Sequence, residues 1–157
     1  MPNILYILVS FAYHLALALW IGGAIALGAL TAPELFRQLP RQQAGGIFGP
    51  ILRRFARLRL GAVAVAILAA AIRYAVWETH TASGWIVIRW ISLAFLAVVV
   101  VEEIVRIEPA MERHRAAFQP ALGDDDPERR AFMALHRRSE GVMKISMAAA
   151  LIALFLG

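Results

Sequence analysis

The residue with the clearest chemical potential is His14, an imidazole inside the apolar stretch FAYHLALALWIGGAIALGALTAPELF, residues 11–36. The first charged side chain of the whole chain is Glu34. Because a helix rises about 1.5 Å per residue, His14 lies about 15 Å below Ile4, near the middle of a hydrocarbon core of about 30 Å. We expect it to point into a helix bundle, as a neutral ring hydrogen-bonded to a neighbour or as a ligand or proton relay.

A second group of polar side chains lies at a different depth, where the third and last apolar runs meet charged sequence. One face of the last helix carries four residues at spacings of four, three and four: His136, Glu140, Met143 and Met147. Histidine with methionine suits copper, and carboxylate with histidine suits zinc or a proton path. The predicted metal ligands are therefore His14, His136, Glu102, Glu103 and Met143.

A simpler alternative accounts for the same residues. Arginines at headgroup depth, such as Arg37, Arg106 or Arg138, would pair with the carboxylates, and the methionines would fill the core. The sequence leaves both interpretations open.

Haem b is a further alternative, but ligation by two histidines meets a geometric objection. His136 lies about 20 residues, or about 30 Å, from the far end of the last helix, whereas His14 lies about halfway across, so the rings are offset by about 15 Å. Haem held by His14 with Lys144, Met143 or no second ligand remains open. No catalytic constellation is recognised, so no enzyme class follows.

Composition identifies the setting of these residues. The chain has 157 residues, of which 61% are hydrophobic and 17% charged, far more apolar surface than a soluble core needs. We therefore expect an integral membrane protein in contact with the lipid bilayer. The chain contains no cysteine, which excludes disulfides and thiolate metal sites.

The apolar runs predict an all-α fold, a four-transmembrane-helix bundle that forms one domain over residues 1–157. Only the first run is long enough by itself. The other three reach the roughly 17 residues of a tilted span if Arg73, Arg89 and Lys144 send their charges along the side-chain stems to the headgroups. The predicted spans are about 4–31, 60–77, 85–105 and 139–156.

Charge placement predicts the orientation. Thirteen arginines lie in the connections 33–59 and 106–138, which the positive-inside rule places in the cytoplasm. Both termini then lie outside. The net charge of +5 is thus a topology signal, and no nucleic-acid-binding motif accompanies it.

Several residues have predicted structural roles. Pro33 ends the first span, Pro109 kinks or stops the third, and Asp126 caps the last helix. Residues 47–58 form a cationic amphipathic helix at the interface between spans one and two. On span one, Trp20 is assigned a structural role. Gly22 belongs to a small-residue seam on the face of His14, which also contains Ser10, Ala18, Ala26 and Ala29.

Five segments together resemble one family of small membrane proteins: HLALALWIGG, TAPELF, AGGIFGPILRRF, IEPAMERHR and ALHRRSEGVMK. Their order and spacing are similar to those of the four-helix family that includes transmembrane protein 205 and bacterial proteins of unassigned function. More distantly, they resemble the membrane domain of copper-resistance protein D and the membrane protoporphyrinogen oxidase, which also place a histidine in the first helix. The resemblance implies a bacterial inner-membrane protein. The family's association with platinum resistance, attributed partly to sulfur ligands, has no thiol equivalent in this chain.

Three functional hypotheses follow. The leading one is a protein that binds or moves a metal ion, proton or small solute through an intramembrane polar site. The second is a haem-binding or redox protein. The third is a non-catalytic accessory subunit or homo-oligomer, in which small residues such as Ala62, Ala66 and Ala70 pack against partner membrane proteins.

Overall fold

A computed structural model describes residues 4–80, 83–117 and 126–157. They form four long helices: α1, Ile4–Gln38; α2, Arg41–Glu78; α3, Gly84–Ala117; and α4, Pro127–Phe155. The predicted all-α fold is confirmed. Asp126 begins α4 as predicted, since its side chain accepts a hydrogen bond of 2.8 Å from the backbone N–H of Glu128.

Three of the four helices, α1, α2 and α3, are long and apolar enough to cross a membrane. The protein is therefore an integral membrane protein. The structure does not identify α4 as a fourth span, because its uncharged part begins only after Lys144 and is about a dozen residues long, below the roughly 17 that a tilted span needs.

Each helix packs against the next along the chain, and α4 packs back against α1, so the four form a closed bundle. At the end that contains the connection 39–40, the rings of Phe36 and Phe48 lie 6.3 Å apart. At the opposite end, which contains the connection 79–83, the rings of Tyr6 and Trp77 lie 5.3 Å apart. We call these the 39–40 end and the 79–83 end.

The centre of the bundle is apolar and includes the fully buried Leu17, Leu93 and Leu96. Three alanines on α2 that were predicted to face partner proteins lie in this core instead: Ala62, Ala66 and Ala70. Small side chains allow neighbouring helices to approach closely, and here they do so within the bundle.

The buried face of α1 differs from the predicted one. Tyr13, Leu17 and Trp20 face the core, whereas His14 is only half-buried and Ala18, Gly22, Ala26 and Ala29 lie on the outside. Close helix contact occurs at Gly23 rather than Gly22. A Cβ atom there would overlap the Phe55 ring, whereas one at Gly22 would meet nothing within 4 Å.

The described residues contain three π-helical turns: Ala26–Thr31 within α1, Tyr74–Glu78 at the end of α2, and Glu103–Ile107 within α3. The sequence predicts that the first span ends at Pro33, but α1 continues to Gln38. The first π-helical turn explains this difference. In this wider turn, the Thr31 hydroxyl donates a 2.9 Å hydrogen bond to the carbonyl of Ala26. A proline that follows such a turn removes less of the helical hydrogen bonding.

At Pro109, where the sequence predicts a kink or a stop, the helix does not stop. The third π-helical turn ends just before this proline, and α3 continues to Ala117. The amphipathic segment 47–58 is not a separate interfacial helix, because it is continuous with the apolar part of α2.

Candidate functional site

Charged side chains enter the bundle at two levels. On α2, Arg59 and Arg73 are fourteen residues apart, and on α3, Arg89 and Glu103 are separated by the same number. Because fourteen residues span about 21 Å of helix, the antiparallel packing brings Arg59 to Glu103 at one level and Arg73 near Arg89 at the other. Both levels fit within a hydrocarbon core of about 30 Å.

The Arg73 cluster, near the 79–83 end, consists of Arg73, Glu78 and Arg89. The Nη2 atom of Arg73 lies 3.1 Å from Oε1 of Glu78. Arg89 binds both carboxylate oxygens, through a 3.1 Å bond from Nη1 to Oε1 and a second bond from Nη2 to Oε2. The side chains of Arg73 and Arg89 are only 7% and 2% exposed. Two guanidinium groups therefore share one carboxylate inside the bundle.

Two tyrosines of α1 pack against Arg73. Its guanidinium carbon lies 5.5 Å from the ring centroid of Tyr6 and 5.8 Å from that of Tyr13. The faces of aromatic rings attract cations. The Tyr13 hydroxyl donates a 2.6 Å hydrogen bond to the carbonyl of Ala153, so this contact also connects α1 to α4.

The hydrogen bonding of the Arg73 cluster is incomplete. Nε and Nη1 of Arg73 and Nε of Arg89 are buried and have no hydrogen-bond partner within the described part of the chain. Buried N–H donors are nearly always paired in proteins. The cluster thus combines excess positive charge with unused donors, which is the arrangement that an anion would complete.

The Arg59 cluster, nearer the 39–40 end, consists of Arg59, Glu103 and Met143. Arg59 is 1% exposed; its Nη2 atom donates a 2.6 Å bond to Glu103 and its Nη1 atom a 3.5 Å bond to the Met143 sulfur. The Trp20 and Phe55 rings lie 5.3 and 5.1 Å from its guanidinium carbon. One cation faces one anion, so the charge of this cluster is balanced.

His14 lies at the edge of the core, beside Tyr13. Its Nδ1 atom is 2.7 Å from the carbonyl oxygen of Ser10, one turn earlier in α1. A carbonyl oxygen only accepts hydrogen bonds, so Nδ1 carries a proton, and in the neutral form of the ring Nε2 keeps its lone pair. Nε2, the atom that a metal or haem iron would bind, lies beside Gly157, where an added Cβ atom would be 3.2 Å from it.

The other predicted ligands do not converge on His14. Nε2 of His136 lies 3.3 Å from Oε1 of Glu140, and both side chains are substantially exposed. Glu102 pairs with Arg138 at 2.7 Å, while Glu103 and Met143 contact Arg59. Residues 4–80, 83–117 and 126–157 contain no group of three or more histidine, aspartate or glutamate side chains placed to hold a metal ion. These contacts agree with the simpler alternative from the sequence, in which the carboxylates pair with arginines.

The sequence alone does not predict that Arg73, Glu78 and Arg89 form a site. Arg73 and Arg89 were expected to direct their charges to the headgroups, whereas both turn inward to Glu78. The equal fourteen-residue spacing on two consecutive helices was the available signal. It becomes informative only when the antiparallel register of α2 and α3 is known.

The matched family covers the same helices. The chain belongs to the family described as a domain of unknown function (DUF4149). The family model matches residues 15–117, which include all of α2 and α3 and most of α1. No curated protein and no solved structure gives a significant match. The Arg73 and Arg59 clusters thus lie within the family's matched region, apart from the Met143 contribution of α4.

Proposed function

We propose that this DUF4149 membrane protein binds a small anionic solute at the Arg73 cluster. The observation that carries the proposal is the sharing of one carboxylate by two buried guanidinium groups with unused N–H donors. This narrows the expected intramembrane polar site from a metal ion, proton or small solute to a ligand of negative charge.

The sign of the charge favours an anion over a metal cation. Arginine remains protonated in proteins, so the cluster carries two positive charges and at most one negative charge. A cation would be repelled, and Glu78, the carboxylate at this level, is already bound by both arginines. An anion would accept the free N–H groups of Arg73 and Arg89 and relieve the cost of the unbalanced charge.

The position of the cluster supports entry from the 79–83 end. Arg73 and Arg89 each lie five residues from the helix end at that side, or about 7.5 Å along the helix axis. A recess of about 430 Å³ opens there, lined by Trp85, Phe155, Leu156 and Gly157. Trp85 is one turn from Arg89 on the same face of α3.

Apolar side chains fill most of the bundle between the Arg73 cluster and the Arg59 cluster. Between the two charged levels, α2 and α3 contribute a set of residues that are at most 2% exposed: Val63, Ala66, Ala70, Leu93, Leu96 and Val100. Ser92 of α3 is also buried in this stretch, and the predominantly apolar filling supports binding of the anion rather than its passage to the Arg59 cluster.

The test is anion-dependent stability of the purified protein in detergent. Sodium chloride, with ionic strength held constant by sodium gluconate, should raise the unfolding temperature along a saturating curve. A ligand at about 100 times its Kd stabilises by about 2.7 kcal/mol, so a rise of several degrees is expected. Arg73→Gln should abolish the response, and Arg73→Lys, which keeps the charge, should retain part of it.

Arg57→Gln is the matched control, because Arg57 lies on the same helix but is exposed and is sixteen residues from Arg73, or about 24 Å along the helix axis. It should leave the chloride response unchanged. A wild-type protein that shows no chloride-specific rise, or an equal rise in the wild type and Arg73→Gln, would refute the proposal.

A second candidate function rests on the lone pair that Nε2 of His14 keeps when Nδ1 carries the proton. We propose that this atom coordinates haem b or a copper ion as a single protein ligand once Gly157, which lies beside it, moves aside, in line with the resemblance to redox and copper-resistance proteins. A purified protein with bound haem would show a Soret absorption band. His14→Leu should remove the band without loss of folding, and absence of the band from the parent would rule out the haem form.

A further inference from the structure

We infer that Glu78 sets the charge of the ligand, so that the Arg73 cluster accepts a monovalent anion and discriminates against divalent ones. This inference rests on the proposed anion site. It assigns a role in specificity to a residue that directly follows the predicted span 60–77.

The argument begins with the ionisation of Glu78. Its carboxylate faces three guanidinium nitrogens, two from Arg89 and one from Arg73. Contacts of this kind stabilise the charged carboxylate. With two arginines and one carboxylate, the cluster has a net charge of +1.

The low polarity of the surroundings makes this net charge decisive. The cluster is enclosed by α1, α2 and α3, and the side chains of both arginines are more than nine-tenths buried. An uncompensated charge in such a place is costly, so the bound state should be close to neutral. One monovalent anion gives neutrality, whereas a divalent anion leaves a charge of −1.

The free donors of the cluster itself belong to Arg73 and Arg89, and the Ser10 hydroxyl of α1 is a further buried group without a partner in the described residues. The Tyr13 hydroxyl already donates to Ala153, and the tyrosine rings present their faces to Arg73. The ligand is therefore held by charged N–H groups, for which its own charge matters most. Nε of Arg59 is also buried without a partner in the described residues, but the Arg59 cluster has one cation and one anion, so the charge argument predicts no anion site there.

The experiment measures binding of radiolabelled chloride and radiolabelled sulfate to the full-length protein in detergent by equilibrium dialysis. The wild type should bind chloride at least about tenfold more tightly than sulfate, because sulfate leaves a buried charge unbalanced. Glu78→Gln raises the charge of the cluster to +2, so its preference should reverse in favour of sulfate.

Glu112→Gln is the matched control. Glu112 is a glutamate that also pairs with an arginine, Arg53, but its side chain is 63% exposed and lies outside the cluster. This variant should bind both anions as the wild type does. Glu78→Asp, which keeps the negative charge, should keep the chloride preference.

The outcomes separate this inference from the proposed function. Equal affinity of the wild type for chloride and sulfate, or an unchanged chloride preference in folded Glu78→Gln, overturns the role of Glu78 while leaving an anion site. If Glu78→Gln does not fold, the wild-type ratio and Glu78→Asp decide the question. Absence of any Arg73-dependent binding of either anion refutes the proposed function itself.

Discussion

At the scale of single residues, neighbouring side chains of the same type have different surroundings. Glu102 and Glu103 are adjacent on α3, yet Glu102 pairs with the largely exposed Arg138, and Glu103 pairs with the buried Arg59. Hydropathy and spacing cannot separate two consecutive glutamates. Their difference arises from the tertiary contact between α2 and α3, which places Arg59 opposite only one of them.

This difference predicts unequal effects of the same substitution. Glu103→Gln leaves the Arg59 charge buried without a counterion, and loss of one partner of a buried pair costs about 3–5 kcal/mol. Glu102→Gln removes a pair near the surface, which is worth about 0–1 kcal/mol. Unfolding of the two variants in detergent by titration with a denaturing surfactant gives the comparison, and equal destabilisation would contradict the burial of Arg59.

At the scale of elements, the features that depend on consecutive residues were predicted well, and those that depend on contacts between helices were not. The cap of Asp126 and the uncharged length of α1 depend on consecutive residues, so the sequence alone was sufficient. The continuation of α1 past Pro33 depends on a π-helical turn, which leaves no periodic signal in the side chains. The inward direction of Arg73 depends on Glu78, whose carboxylate lies at the end of α2 and contacts both Arg73 and Arg89.

The position of α4 provides a prediction at the same scale. We propose that α4 is a fourth span, because Tyr13 and Ala153 connect it to α1 near the 79–83 end. The chain has no cysteine, so a maleimide labels only the cysteine that is introduced in each variant. His80→Cys and Phe155→Cys should both react with a membrane-impermeant maleimide on intact cells, as expected if this end lies outside the cytoplasm.

Gln42→Cys, at the 39–40 end, is the control and should react only after the cells are permeabilised. Labelling of His80→Cys and Phe155→Cys from opposite sides would show that α4 does not cross. Labelling of Gln42→Cys alone on intact cells would reverse the predicted orientation while keeping four spans.

At the scale of the whole molecule, the candidate site is built from regions that are distant in sequence. The Arg73 cluster needs α2 and α3, its aromatic contacts come from α1, and Tyr13 extends the contact to α4. The small residues Ala18, Gly22 and Ala29 remain on the outside of α1. The accessory-subunit hypothesis stays a prediction that concerns this outer face, and it is compatible with an anion site inside.

The fixed distance between the two charged levels has a consequence for the choice of membrane. Arg59 and Arg73 are separated by about 21 Å of rigid helix, and neither guanidinium can follow the headgroups outward without leaving its glutamate. Longer acyl chains would therefore place both ion clusters deeper in hydrocarbon, at a cost that rises with each ångström of mismatch. We therefore expect the helices to stay together more firmly in thin bilayers than in thick ones, with the length of the surrounding lipid tails as the determinant.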